Sequence, residues 1–111
     1  MSEMAPYAWL ITHDELALPG DRSAESTTGP KGIPEKLEKA LRSDQVPRGF
    51  TAAEFRMYDD DGYHYYRGRM FYRDELEGTE VQVFGPLRDF GLPHAGCTRI
   101  RWNDDDHYET Y

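Results

Sequence analysis

Cysteine is nearly missing from this chain of 111 residues: Cys97 is the single one. One thiol excludes an intramolecular disulfide framework and a four-cysteine zinc site. Long apolar runs are missing too, and nothing approaches the roughly 18 residues that a membrane-spanning helix requires. Basic residues are in short supply. Lys and Arg total 13 against 21 Asp and Glu, for a formal charge of −8. General binders of nucleic acid or anionic membranes carry the opposite footprint, so neither is an expected partner. Apolar residues make up 38% and charged residues 31%, lean for a globular protein but enough for one modest core. Residues 1–111 are therefore read as a single domain. The opening MSEMAPYAWLIT has neither a basic leader nor the apolar stretch of a signal peptide, which predicts a cytoplasmic protein.

What is present reads as an α+β chain. Residues 1–5 are expected to fray. Tyr7 to Thr12 is rich in residues that favour extended structure, and its two faces are both apolar, as in a central strand covered on both sides. From His13 to Ile33 there is no period of either kind, and the Pro, Gly, Ser and Thr content predicts a long surface loop. Pro34 opens a short helix, PEKLEKALRSD. Leu37, Ala40 and Leu41 form its apolar stripe, and Glu35 and Lys39 make an i, i+4 pair. Glu54 to Tyr58 and Tyr63 to Arg67 flank Asp59-Asp60-Asp61-Gly62, a strong hairpin signal. Gly68 suggests a bulge or bend before Arg69 to Tyr72. Val81 to Phe84 reads as a short strand, residues 86–96 as a turn-rich loop, Thr98 to Trp102 as a strand, and His107 to Tyr111 as an edge strand. The economical solution is a small antiparallel sheet of four to six strands, with one short helix packed on a face and a long loop after the first strand.

Motifs for chemistry are weak. The two Asp triplets, 59–61 and 104–106, lack the alternate acidic positions and terminal Glu of a calcium loop, and they read as solvated turns. His94-x-x-Cys97 is half of a zinc pattern, which His64 or His107 would have to complete. A triad of Cys97, a histidine and Asp89 has no signature around it. In TTGPKG, Lys31 is followed by Gly32 rather than Ser or Thr, so it is not a phosphate-binding loop. No catalytic residue, metal site or cofactor is assigned.

Arginine and tyrosine carry more information. Arg56, Arg67, Arg69, Arg73, Arg99 and Arg101 all fall on predicted strands or their ends, and Tyr58, Tyr63, Tyr65, Tyr66 and Tyr72 cluster along the hairpin. Simple alternation places Tyr65, Arg67, Arg69 and Phe71 on one face, barring a bulge at Gly68. Such a face suits a protein interface, where Tyr and Arg are frequent anchors. Acidic residues gather instead at connections, in the two triplets and in Asp74, Glu75, Glu77 and Glu80.

Three stretches, PYAWLIT, FRMYDDDGYHYYRGR and PLRDFGLPHAGCTRIRW, together resemble a family of small proteins found in high-GC bacteria, their phages and integrated elements. The resemblance leaves out much of residues 13–50 and carries over no catalytic or ligand residue. It implies a mobile-element setting, in which small acidic proteins often inhibit host defence, as anti-restriction and anti-CRISPR proteins do.

The reading is a small acidic, non-enzymatic module that binds a protein partner. Its expected contact surface comprises Tyr58, Asp59, Asp60, Asp61, Tyr63, Tyr65, Arg67 and Arg69, with Asp104, Asp105 and Asp106. Alternatives are a sheet that binds single-stranded nucleic acid, or a metal- or small-ligand-binding domain with hydrolytic activity. Exposed strand edges leave a homodimer open.

Overall fold

A computed structural model of the chain describes residues 5–16, 24–103, 105 and 107–111. Six strands form one antiparallel sheet: β1 (Tyr7–Asp14), β2 (Thr28–Gly29), β3 (Phe50–Tyr58), β4 (His64–Arg73), β5 (Arg99–Trp102) and β6 (Glu109–Thr110). Their order across the sheet is β2-β1-β4-β3-β5-β6. The α+β class, the hairpin, the covered first strand and the last edge strand are as the sequence predicts. Both outer strands are two residues long, which leaves little exposed ladder at either edge.

The sheet has two cores because β1 is apolar on both faces. Trp9 and Ile11 join Phe55, Met57, Tyr66, Met70, Leu87 and Ile100 on one side. Ala8 and Leu10 join Phe50 and Phe71 on the other, beneath Leu37 and Leu41 of α1 (Glu35–Ser43). α1 is the expected helix: Pro34 precedes it and Asp44 ends it in a left-handed conformation. The Glu35–Lys39 pair forms at 3.6 Å between exposed side chains and adds little stability.

Three local expectations are overturned. First, Val81 to Phe84 is not a strand and residues 86–96 are not a loop. Helix α2 (Glu80–Pro86), a π turn (Leu87–Gly91) and helix α3 (Leu92–Ala95) run on without a break. Thr79 caps the start, its Oγ1 accepting from Gln82 N–H at 3.3 Å, and the Gln82 Oε1 accepts from Gly78 N–H at 2.9 Å. That Thr-x-x-Gln pattern is a close variant of the capping box, and it outweighs the strand preference of two valines. Pro86 has no N–H for the helix ladder, and the widened turn follows it directly.

Second, the loop expected over 13–33 is partly regular. β1 continues through His13 and Asp14, and Thr28–Gly29 return to pair with Trp9 and Leu10.

Third, the irregularity expected at Gly68 falls opposite it, on the neighbouring strand. Thr12 is the extra residue on β1 between Ile11 and His13, and Tyr65 is the extra residue on β4 opposite the Met57–Tyr58 step. Gly68 serves close approach instead, since a Cβ there would sit 2.3 Å from the Leu10 carbonyl oxygen and 2.6 Å from Phe55 Cζ.

Candidate functional site

Strand alternation and pairing decide where the arginines go. Phe50 and Phe71 lie on the α1 side of the sheet, which places Ala52, Glu54, Arg56 and Tyr58 of β3 there, and Arg67, Arg69 and Arg73 of β4. On β5, Arg101 pairs with Arg56 and Arg99 with Tyr58, so they share that side. All six strand arginines thus point from one face of the sheet. α1 covers only part of it: on β3, with a neighbour on each side, Ala52 and Glu54 remain exposed.

These arginines are not equivalent. Arg69 closes the end of α1, donating from Nε to the Leu41 carbonyl at 2.7 Å and from Nη2 to that of Arg42 at 3.2 Å, with Asp44 at 3.9 Å. Free carbonyls and the negative helix end make that a natural seat for a cation. Arg73 lies over the Phe50 ring at 5.3 Å. Arg101 donates to the Asp105 carbonyl at 3.0 Å and lies over Tyr58 and Tyr108, while Arg99 lies over Tyr108 at 5.7 Å.

Arg67 and Arg56 differ from the rest. They are direct partners across β4 and β3, and Arg101 is the partner of Arg56 on its other side, so three guanidinium stems stand in one rank. Like charges directly opposite on a sheet are unfavourable. Among the described residues, Arg67 Nε is buried without a hydrogen-bond acceptor. Such an orphan donor costs about 1–3 kcal/mol. No hydrogen bond or ion pair joins Arg56 to another described residue.

A cavity of about 250 Å³ opens beside this rank, lined by Thr12, His13, Glu54, Arg67, Gly68 and Arg69. The Thr12 bulge forms its wall, and Thr12 Oγ1 is held by the Arg67 carbonyl at 3.1 Å. A larger cavity of about 360 Å³ lies along α1 between Lys36 and Pro47, but flexible exposed side chains wall it and no chemistry converges there.

The expected contact residues separate. Tyr58 is buried, stacked on His64 at 5.1 Å and edge-on to Tyr108 at 5.0 Å, so it is packing and not an exposed anchor. Burial holds the His64 imidazole below its ordinary pKa, a tendency the neighbouring Arg67 and Arg56 charges reinforce. Tyr65 is not on the arginine face. Its bulge turns it toward the opposite core, edge-on to Tyr66, which corrects the shared face expected for Tyr65, Arg67, Arg69 and Phe71. Arg67, Arg69 and Phe71 do share one.

At the hairpin tip, Asp59 Oδ1 accepts from the Asp61 and Tyr63 N–H groups at 2.9 Å each. Burial works to raise the Asp59 pKa, but those bonds and one from the Tyr65 hydroxyl outweigh it and hold the carboxyl below the usual range. Asp60 accepts from the Thr98 hydroxyl. Two of the three acids therefore build the turn, leaving exposed Asp61 and the 70% exposed ring of Tyr63 at the tip. Asp105 is exposed and accepts from His107 N–H at 2.9 Å. Asp104 and Asp106 lie outside the described residues.

The His94–Cys97 pair does not converge. His94 is exposed and stacks on Phe90 at 4.6 Å, whereas Cys97 is fully buried. Burial pushes the Cys97 thiol up to about 12, which keeps it protonated and non-nucleophilic at neutral pH. Among the described residues, no three His, Cys, Asp or Glu side chains are placed to hold a metal. No helix among them is long and apolar enough to cross a membrane.

The sequence places Arg56, Arg99 and Arg101 on strands but does not by itself join them to Arg67. The signal available was parity along each strand. The missing one was the pairing that aligns those parities.

Searches against protein-family models, curated proteins and solved structures return no match to this chain.

Proposed function

We propose that this protein is a non-enzymatic binding module that engages a protein partner through the uncovered arginine face of its sheet and the adjoining hairpin tip. The observation that carries the reading is the concentration of all six strand arginines on one face, with exposed Ala52 and Glu54 on interior strand β3. Among the described residues this face is covered only in part, and a positive patch of this kind is the surface on which a negatively charged partner docks. The resemblance to small proteins of phages and integrated elements supports a cytoplasmic inhibitor of host defence machinery, of the anti-restriction or anti-CRISPR kind, as its setting.

The test is capture from host lysate, with bound proteins identified by mass spectrometry. A partner held by the wild type and lost in Arg56→Glu/Arg99→Glu, with folding intact by circular dichroism, supports the reading. Capture that is unchanged in that variant overturns it.

Single-stranded nucleic acid is a second reading, favoured by the arginine face alone. Against it, Tyr58 is buried, the Tyr108 ring is taken up by Arg99 and Arg101, and Tyr65 faces away, so none of them offers a free ring face to unpaired bases.

A further inference from the structure

We propose that Arg67, which lines the Thr12-bulge cavity, and Arg56, its partner across the strands, form a binding site for a single phosphoryl dianion. This rests on the arginine face being a binding surface and names the chemistry at its centre.

The cavity lies where β1 takes its extra residue, and Arg67 and Arg69 line it with Thr12 and His13. Of the two arginines, Arg69 is committed to the α1 carbonyls and Asp44. Arg67 is not committed: its Nε finds no acceptor among the described residues. Its direct cross-strand partner is Arg56, a second guanidinium without a hydrogen bond or ion pair to a described residue. Two forked donors that repel one another are brought into balance by an anion placed between them.

Charge and shape select the anion. A carboxylate has one charge and two oxygens, enough for one guanidinium fork, and leaves the second charge opposed. A terminal phosphoryl group carries nearly two charges and three acceptor oxygens, which matches two forks. Glu54 also lines the cavity, directly opposite Arg69 on the ladder, and directs an anion toward the Arg67 side. A polyanion is disfavoured for a separate reason. The molecule carries −8 overall, with acids gathered at its connections, so an extended phosphodiester chain meets repulsion where one compact group does not.

The test uses the full chain and ¹H–¹⁵N spectra that resolve the arginine Nε–H signals. Inorganic phosphate is titrated against acetate at matched ionic strength. The Arg67 and Arg56 Nε–H signals should move and saturate with phosphate and stay put with acetate. Arg56→Gln should weaken phosphate binding about tenfold, while Arg88→Gln, off the sheet, should leave it unchanged; the dispersion of the spectrum reports folding of each variant. A linear response without saturation, an equal response to acetate, or unchanged affinity in Arg56→Gln overturns the proposal. A phosphoserine peptide and its unphosphorylated form identify the source. Peptide tighter than free phosphate points to a phosphorylated partner, and equal affinity to a small phosphorylated molecule. If phosphate fails to bind yet Arg56→Glu/Arg99→Glu still abolishes partner capture, the phosphoryl site falls and the protein-binding surface stands.

Discussion

The Tyr7 hydroxyl donates a hydrogen bond to Asp89 Oδ2 at 2.7 Å, joining the first strand to the π turn that follows α2. The same oxygen accepts from Trp9 Nε1 at 3.0 Å, so one carboxylate serves two aromatic donors on alternate positions of β1. The widened turn brings Asp89 to the strand, and this contact ties the helical segment to the sheet.

Asp89→Ala is expected to destabilise the fold by about 1–3 kcal/mol, because it leaves Trp9 Nε1, on a ring only 3% exposed, without its acceptor. Urea unfolding followed by tryptophan fluorescence measures this. A midpoint unchanged from wild type would mean that water replaces the carboxylate at no cost.

Gly68→Ala should cost at least about 1–3 kcal/mol, since the new methyl meets the Leu10 carbonyl oxygen and the Phe55 ring at once. A backbone oxygen in a strand cannot step aside as a flexible side chain can. Chemical denaturation of this variant beside Gly78→Ala, where a Cβ meets nothing within 4 Å, separates crowding from other effects. The Gly78 variant should lose less stability, its cost coming from a positive φ of 80°.

Stability should fall in alkali. Burial pushes the Tyr66 hydroxyl up to about 12, and burial together with Asp89 raises Tyr7 further still. A folded pKa above the unfolded value of about 10 means that the neutral forms hold full stability below pH 10 and lose it as pH rises toward the folded value. For Tyr66 the loss by pH 11 is about 1 kcal/mol. Urea midpoints between pH 8 and 11.5 should decline, and Tyr66→Phe should decline less steeply. Equal slopes would assign the alkaline loss to other groups.

Cys97 should resist thiol reagents in the native state at pH 8. It is fully buried with its thiol raised to about 12, so its thiolate is about a thousandfold scarcer than that of a thiol at its ordinary value. Mass spectrometry after iodoacetamide should find the native chain unmodified and the chain in guanidinium fully modified. Rapid native labelling would place the thiol at the surface.

Much of this molecule is legible in its sequence. An unbroken apolar run marks β1 as covered on both faces, and Asp-Asp-Gly between aromatic runs marks the hairpin. Leu37 and Leu41 marked the buried stripe of α1, because a 3.6-residue period survives in any context that buries one side. Residues 80–95 are legible in principle, through Thr79 and Gln82, but the strand preference of two valines competes locally with the capping signal.

The candidate site was legible only in part, and the reason is register. Sequence parity by itself determines that Arg67, Arg69 and Arg73 share a side of one strand, that Arg99 and Arg101 share a side of another, and that Arg56 follows Glu54. It does not determine that those sides coincide. A one-residue change in pairing sends every side chain of a strand to the opposite face. The bulge at Tyr65 does this to a single residue, taking the tyrosine to the far core and leaving Arg67 on the open side. Only the tertiary structure, by pairing Arg56 with Arg67 and with Arg101, turned scattered arginines on an acidic chain into one charged rank beside a cavity.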